Sequence, residues 1–151
     1  MNVKQILRNK PSGFVSVSPE DRITTVLSIL ADRGIGAVLV LDQGRLAGVL
    51  SERDIVRSLV KNAQDTLDMT AAALMTPNPT TATPETTVEQ AMEMMTNGHF
   101  RHLPILDNGI LTGLVSIGDM VKARIDQCQY EVDSLRNYVT GSVSAHAPAA
   151  S

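Results

Sequence analysis

The amino-acid sequence predicts an α+β protein built from two tandem copies of one strand–helix–strand–strand–helix unit. The first observation is an internal repeat. The stretch Gly48–Arg57 returns 65 positions later as Gly113–Lys122, and each begins with glycine, two apolar residues, serine, two further residues and aspartate. The second observation is that the same offset, without gaps, aligns other turn and helix-start residues, such as Pro19 with Pro84 and Gly44 with Gly109. Matches of this kind at a single offset indicate a duplicated unit.

The composition suits one compact domain made of two halves and excludes several functional classes. Apolar residues make up 43% of the 151 residues but aromatic residues only 3%, so we expect an aliphatic, methionine-rich core. A net charge of −3 without a basic run argues against a nucleic-acid-binding protein. The N-terminus lacks the apolar region of a signal peptide, and no apolar run approaches 18 residues. We therefore expect a cytoplasmic protein without a membrane span.

The first repeat is predicted to occupy residues 1–62. It begins with a short amphipathic helix that ends at Pro11-Ser12-Gly13, a cluster that breaks regular structure. Apolar residues at helical spacing predict a helix that starts near Pro19 and is closed by Gly34. The other predicted elements are strands at Phe14–Val17, Ala37–Leu41 and Leu46–Leu50, a hairpin turn at 42–45, and a helix from Ser51 to about Val60.

The second repeat is predicted at residues 71–125, after a polar linker at 63–70. It opens with another short helix, stopped by Pro77-Asn78-Pro79. The same order of elements then follows: a strand near Thr80–Ala82, a helix near Thr87–Thr96, strands at His102–Leu106 and Leu111–Val115, and a helix from Ser116.

The last helix is predicted to continue through residues 126–140, ahead of a disordered tail at 141–151. Apolar residues recur along it at alternating spacings of four and three, the pattern of a heptad seam: Val121, Ile125, Cys128, Val132, Leu135 and Val139. A seam of this length needs a partner surface. Either the helix packs on its own domain, or it pairs with a second subunit, and both can hold along different turns.

The repeated Ser-x-x-Asp motif has two physical interpretations. Ser51 with Asp54, and Ser116 with Asp119, can form capping boxes at the starts of two helices. Alternatively, the same helix starts can bind a ligand, because free N–H groups and the positive dipole end attract a phosphate. The aspartate, which can only accept hydrogen bonds, would then hold a ribose diol. The occurrence of the motif in both repeats favours the binding interpretation.

These residues carry a family resemblance. The motif, twice and at the end of the same unit, resembles a pair of CBS domains (cystathionine beta-synthase domains), also called a Bateman module, of the small stand-alone bacterial type. Further marks of the resemblance are Met75-Thr76-Pro77, Ser18-Pro19, Thr83-Pro84 and the run Leu103–Asp107. The similarity extends from about Val3 to Ile125.

The resemblance implies an adenine-nucleotide-binding regulatory protein rather than an enzyme. AMP is the expected ligand, with ATP, ADP or NAD as further possibilities, bound in clefts between the repeats. One cleft is expected to use Ser51 and Asp54, and the other Ser116 and Asp119. The residues expected to surround the adenine are Val15, Val17, Ile35, Gly36 and Ala37 in the first repeat and Thr80, Ala82, Phe100 and His102 in the second. The implied partners are a second copy of the chain, bound through the repeat helices, and an unidentified regulated protein.

Arg53, Arg101 and His102 are the candidates for phosphate contacts. Each also has a structural interpretation, as a solvated arginine or a packed histidine. The second repeat has Gly118 in place of Arg53, and the first has Gly36-Ala37 in place of Arg101-His102, so the two clefts are not expected to be equivalent. The remaining alternative is a ligand-free interaction module in which the motifs serve only as helix caps. Metal-ligand spacing, a phosphate loop and a catalytic constellation are all missing from the sequence.

Overall fold

The computed structural model describes residues 1–10 and 13–143 and confirms the predicted α+β class with two repeats. Each repeat contains a short leading helix, a first helix, a β-hairpin and a helix that follows the hairpin directly. The elements of the first repeat are α1 (Val3–Asn9), β1 (Ser16–Val17), α2 (Ile23–Arg33), β2 (Ala37–Asp42), β3 (Arg45–Ser51) and α3 (Glu52–Asn62). After a 3-10 helix at Ala63–Asp68, the second repeat contains α4 (Ala71–Leu74), β4 (Thr76–Pro77), α5 (Val88–Gly98), β5 (His102–Asp107), β6 (Ile110–Ser116) and α6 (Ile117–Val143).

The two β-hairpins have the same geometry. β2 and β3 pair antiparallel with a register shift after Val40, and β5 and β6 do so with a shift after Ile105, the equivalent position 65 residues later. Both hairpin turns have two consecutive residues with positive φ, and the second residue of each is Gly44 or Gly109. Such turns match the twist of the paired strands and favour glycine. The sequence repeat is therefore also a repeat in backbone conformation.

The two short leading helices are exchanged between the repeats. The N–H groups of Val3 and Lys4, in α1, donate hydrogen bonds to carbonyl groups of the second repeat, at Thr86 and Pro84. Ala71 and Ala72, in α4, donate in the same way to Asp21 and Pro19 of the first repeat. Because Val3 and Ala71 are both fully buried in the core that they enter, each repeat is completed by a helix from the other.

A third apolar cluster joins the two hairpins. Leu39 and Val49 of the first repeat are buried against Leu114 of the second, with Ala37 in the same cluster. Burial of aliphatic side chains is worth roughly 25 cal/mol per Å² of apolar surface removed from water, so this contact stabilises the pairing of the repeats. The two motif-bearing ends of the hairpins are thereby fixed close to each other.

Several predicted elements differ from the structure. The strand predicted near Thr80–Ala82 is reduced to one bridge between Ala82 and Ile105, because the chain here runs beside β5 for only a single pair. The strand that pairs with β3 is β4, which lies before the predicted strand in the chain. The predicted linker contains the 3-10 helix, in which Thr66 is fully buried and its hydroxyl lies 2.8 Å from that of Ser58.

Helix α6 packs on its own repeat only over its first turns. Met120 and Ala123 are buried in the core of the second repeat, whereas Val121, Ile125, Cys128, Val132 and Leu135 of the predicted seam are exposed. The seam therefore does not pack on its own domain. The helix extends to Val143, so the first three residues of the predicted disordered tail are helical, and the rest of that tail lies outside the described residues. None of the helices in the described part of the chain combines the length and apolar character needed to cross a membrane.

Candidate functional site

A cleft of about 340 Å³ lies between the start of α3 and the start of β5. Its volume is within the range typical of small-molecule sites. The first repeat contributes Ser51, Arg53 and Asp54 to its lining, and the second contributes residues before β5 and after β4. Seven residues that were predicted from the sequence meet here: Ser51, Arg53, Asp54, Thr80, Phe100, Arg101 and His102. We call this cavity the first cleft.

The motif at the start of α3 forms a capping box. The N–H of Ser51 donates to Asp54 Oδ2 at 2.9 Å, the Ser51 hydroxyl donates to the same oxygen at 3.0 Å, and the N–H of Asp54 donates to Ser51 Oγ at 3.4 Å. The structural interpretation of the motif is therefore correct. It does not exclude ligand binding, because within the described residues the other carboxylate oxygen, Oδ1, accepts no hydrogen bond.

Three arginines border the first cleft: Arg53, Arg57 and Arg101. All three side chains are exposed, and among the described residues none of them forms an ion pair with an acidic side chain. Asp54 is the one acidic residue in the lining described here. A chain with a net charge of −3 thus concentrates positive charge at this cavity, which suits an anionic ligand.

His102 lies between the two motifs. Burial lowers its pKa below the usual value; the negative charge of Asp119 opposes this effect, Lys10 adds to it, and Asp54 and Glu52 oppose it more weakly. The net shift is downward, so the imidazole is mainly neutral at pH 7. A neutral imidazole can donate one hydrogen bond to a phosphate but does not supply positive charge there.

The second motif is already occupied by a side chain of the protein. Ser116 and Asp119 form the same capping box, with the N–H of Ser116 donating to Asp119 Oδ2 at 2.8 Å. The ammonium of Lys10 donates to that oxygen at 2.9 Å and to the carbonyl of Leu114 at 2.8 Å. Burial raises the pKa of Asp119, but the hydrogen bonds from Lys10 and Ser116 outweigh it and hold the pKa below its usual value. Asp119 is thus an ionised partner of Lys10.

The other predicted adenine-contacting residues do not line the first cleft. Val17 and Ala82 are buried in the cores of their own repeats, and Ala37 is buried between the hairpins. Val15 and Ile35 are partly buried against the core of the first repeat. Gly36 lies close to Glu52 and His102. A Cβ atom added to it would be 2.9 Å from Glu52 Oε1 and 3.7 Å from His102 Nε2.

Further lining residues were not predicted from the sequence: Val49, Arg57, Thr76, Asn78, Pro79, Gly98 and His99. Arg57 follows Arg53 by four residues on α3, a spacing that places both on one helix face. This signal was available in the sequence. The positions of Asn78, Pro79 and Lys10 depend on how the leading segments cross between the repeats, which no local pattern shows. No cluster of three or more metal-binding side chains occurs within residues 1–10 and 13–143.

The two repeats and their paired motifs define a tandem two-domain architecture, and comparison with known proteins identifies its family. The family model of the CBS domain matches residues 3–61 and 71–126, so nearly all of both repeats is covered. The chain therefore belongs to the CBS domain family and contains two copies of the domain, as the sequence motifs indicated.

Three relatives illustrate the similarity. The CBS domain-containing protein CBSX3, mitochondrial, of Arabidopsis thaliana is 31% identical over 139 residues, which are 89% of this chain and 68% of the relative. The crystal structure of the CBS-domain containing protein ATU1752 of Agrobacterium tumefaciens has a TM-score of 0.79 and 38% identity, covering 82% of this chain and 99% of that one. PAE2072 of Pyrobaculum aerophilum, a CBS domain protein complexed with AMP, has a TM-score of 0.69 and 27% identity over 79% of this chain and 89% of its own.

Proposed function

We propose that this protein is a regulatory, non-catalytic module that binds an adenine nucleotide in the first cleft and thereby changes its interaction with another protein. The observation that carries the proposal is the position of Asp54, whose Oδ1 is uncommitted at a cavity bordered by three arginines. The AMP complex of PAE2072 supports the ligand class, because its chain has the same fold. AMP, ADP, ATP and NAD all contain the adenosine monophosphate unit that this site would recognise.

The geometry suggests a role for each part of the cleft. Asp54 Oδ1 would accept hydrogen bonds from the ribose hydroxyls, since an ionised carboxylate offers only acceptors. Ser51 caps α3 at the point where a phosphate would meet the helix N-terminus, and Arg53 and Arg101 would neutralise that phosphate. Phe100 offers an aromatic face for the adenine ring.

We propose that a single nucleotide binds per chain. The second cleft would need Asp119 for the ribose, but Lys10 holds that carboxylate in an ion pair whose side chains are only 29% and 25% exposed. Ser116 remains a helix cap, and Gly118 supplies no positive charge in place of Arg53. Asp119 Oδ1 accepts no hydrogen bond within the described residues, like Asp54 Oδ1, so the two sites differ by the ammonium group of Lys10 on Asp119 Oδ2, which would hinder the approach of a ribose.

We also propose that the module works as a homodimer. Val56 and Val60 on α3 are 57% and 84% exposed, and their equivalents on α6, Val121 and Ile125, are 44% and 61% exposed. Helices α3 and α6 thus present matching apolar faces, which continue along α6 to Val132 and Leu135. Several large apolar residues exposed on the same helices are typical of an interface. The regulated protein would then interact differently with the nucleotide-bound and the nucleotide-free dimer.

A comparison of Asp54→Ala with Asp119→Ala tests the nucleotide proposal. Both variants lose the equivalent capping box, which should cost each about 1 kcal/mol of stability, and Asp119→Ala should lose up to about 1 kcal/mol more with its ion pair to Lys10. Ligand binding to the native state raises the melting temperature of the wild type as the nucleotide concentration exceeds Kd. We expect AMP or a larger adenine nucleotide to stabilise the wild type and Asp119→Ala, but not Asp54→Ala. Equal stabilisation of both variants would contradict the proposed role of Asp54.

The alternative is an interaction module without a ligand, and the capping boxes at both motifs favour it. It predicts that both alanine variants lose stability and that no nucleotide changes the melting temperature of any form. The unpaired arginines at the first cleft favour the nucleotide-binding function instead, because a cap alone gives no reason for them to be placed there.

A further inference from the structure

The C-terminal part of α6 packs little on its own chain. Ala123 is the last residue of this helix that is buried in the second repeat, and the helix continues to Val143, roughly 30 Å further at ~1.5 Å per residue. Every side chain from Cys128 to Tyr138 is exposed. An isolated helix of this length is only marginally stable in water, because most helical stability in proteins comes from packing an apolar face. This segment therefore needs a partner surface from another chain.

The exposed aliphatic residues of this segment, together with its cysteine, follow one stripe at heptad spacing. We call four of them the tail stripe: Ile125, Cys128, Val132 and Leu135. At 3.6 residues per turn, the stripe lies roughly a third of a turn away from Met120 and Ala123, which face the core of the second repeat. The tail stripe can therefore contact another helix while α6 stays packed on its own repeat.

The residue types of the tail stripe favour two parallel helices. With Ile125 and Val132 at position a of the heptad, Cys128 and Leu135 occupy position d. β-branched residues at a with leucine at d are the combination that favours a parallel two-stranded coiled coil. The stripe begins beside Val121, on the α6 face already proposed for the homodimer, so a second copy of the chain is the partner that continues this interface.

The charges beside the stripe also select the orientation. In the same heptad, Glu131 is at position g and Arg136 at position e, the positions that form salt bridges between paired helices. In a parallel pair without offset, Glu131 of each copy lies next to Arg136 of the other. Within the described residues, neither side chain forms an ion pair in its own chain. Opposite charges thus meet on both sides of the pair.

An antiparallel pair would bring like charges together. If the same stripe packed antiparallel, with Ile125 against Leu135, position g would face g and position e would face e. Glu131 would then lie next to Glu131 of the second copy, and Lys122 next to Arg136. Like charges placed against each other oppose association. The charge pattern therefore fits the parallel arrangement and disfavours the antiparallel one.

From these observations we infer that the C-terminal parts of α6 from two copies of the chain form a parallel coiled coil without offset. Its centre consists of the tail stripe, and ion pairs between Glu131 and Arg136 flank it. The inference rests on the proposed homodimer and adds an orientation to it. Because the coiled coil starts directly after the second repeats, the second repeats of the two copies lie side by side.

Disulfide crosslinking of the full-length protein tests the inference. Cys128 is the only cysteine of the chain, so each crosslink joins it to its counterpart. The added oxidant, diamide, accepts the two hydrogen atoms that the thiols lose as the S–S bond forms. In the parallel pair the two cysteines face each other within the Cα distance of about 4.4–6.8 Å that a disulfide requires. In the antiparallel pair they are about 6 Å apart along the axis in addition to the gap between the helices, which exceeds this reach.

Two variants extend the test along the helix. Cys128→Ser/Leu135→Cys moves the single cysteine by one heptad, to the next position d, and should crosslink as readily as the wild type. Cys128→Ser/Tyr130→Cys is the matched control, because Tyr130 is 73% exposed and lies on the opposite side of α6 from the tail stripe. We expect the first two proteins to crosslink about 10-fold or more faster than the control, since thiols held in contact have a far higher effective concentration.

Three outcomes would overturn the parallel coiled coil: equal rates in all three proteins, crosslinking at only one of positions 128 and 135, and no crosslinking at either. In each case a dimer seen by light scattering leaves the proposed homodimer intact. A monomeric wild type would refute the homodimer, and the coiled coil with it.

Charge reversal tests the ion pairs separately. Glu131→Arg and Arg136→Glu each place like charges on both sides of the parallel pair and should raise the Kd of the dimer about 5-fold, the effect of two exposed ion pairs. The double variant Glu131→Arg/Arg136→Glu restores opposite charges and should recover the wild-type Kd. Analytical ultracentrifugation measures these values. A lower Kd for Arg136→Glu, which an antiparallel contact with Lys122 would give, or an unchanged Kd in both single variants would overturn the assignment of these ion pairs.

Discussion

Lys10 Nζ lies 2.9 Å from Asp119 Oδ2, whereas Asp54, the equivalent aspartate of the first repeat, faces an open cleft. The two motifs are thus alike in sequence and in capping geometry but differ in what occupies them. The difference arises from a residue next to the exchanged helix α1, outside both motifs. A duplicated domain can in this way retain two similar motifs and use only one for a ligand.

Replacing Lys10 with alanine should make the second cleft available. The variant loses a half-buried ion pair and should be destabilised by about 1 kcal/mol or less, the range of such pairs at a surface. It should also gain a weaker second nucleotide site, so that calorimetry gives a stoichiometry approaching two instead of one. The control Lys4→Ala, which removes an exposed lysine of the adjoining helix α1, should keep one site. One site in both variants would show that Lys10 does not block the second cleft.

The motif glycines are predicted to differ in their tolerance of a side chain. A Cβ atom on Gly48 would lie 2.7 Å from the backbone carbonyl oxygen of Thr76 and 2.6 Å from Met75 Sδ. At Gly113 the close atoms belong to the flexible side chain of Leu7. We expect Gly48→Ala to cost about 1–3 kcal/mol, as overpacking usually does, and Gly113→Ala to cost less. Urea denaturation of both variants measures this difference, and equal costs would contradict it.

Stability should fall as the solution becomes acidic, because His102 resists protonation in the folded state. Its folded pKa is lowered by burial, so below about pH 6.5 the unfolded chain binds a proton that the folded chain does not. The loss of stability begins as the pH falls below that value and is complete below the folded pKa. Asp119, whose pKa is also lowered, contributes stability that is lost only at much lower pH.

Denaturant unfolding of the wild type and of His102→Gln, between pH 7.5 and 5, measures how much His102 contributes to the loss of stability in acid. The variant should lose less stability than the wild type over this interval. If both lose the same amount, His102 is not the group responsible.

The exposed apolar faces of α3 and α6 predict how the homodimer can be disrupted. Val60→Lys combined with Ile125→Lys places two charges on these faces without touching the core, because both residues are exposed in the single chain. We expect this double variant to be monomeric by light scattering. Ile110→Lys, at a similarly exposed apolar residue at the start of β6, should leave the dimer unchanged. A monomeric wild type would contradict the assembly altogether.

Local signals were sufficient to predict most of the fold. Gly34 closes α2 in a left-handed conformation, and Ser51 caps α3, as their positions in the sequence indicated. These features depend on residues within one turn of each other. The offset of 65 residues also aligned Gly44 with Gly109, and both glycines have positive φ at the second position of equivalent turns.

Other features depend on contacts between distant segments, and the sequence did not reveal them. The strand predicted near Ala82 required a continuous pairing partner that the structure provides at only one residue. The exchange of α1 and α4 depends on complementary surfaces in the opposite repeats. The contact of Lys10 with Asp119 spans 109 positions, so neither charge spacing nor periodicity could show it.

The most direct test of the nucleotide-binding function is calorimetric titration of the full chain with AMP, ADP, ATP and NAD, repeated on Asp54→Ala. We predict saturable binding of at least one of these compounds at one molecule per chain, lost in the variant while its unfolding remains cooperative. No heat of binding from any of the four at millimolar concentration, or undiminished binding by Asp54→Ala, would contradict a nucleotide site at the first cleft.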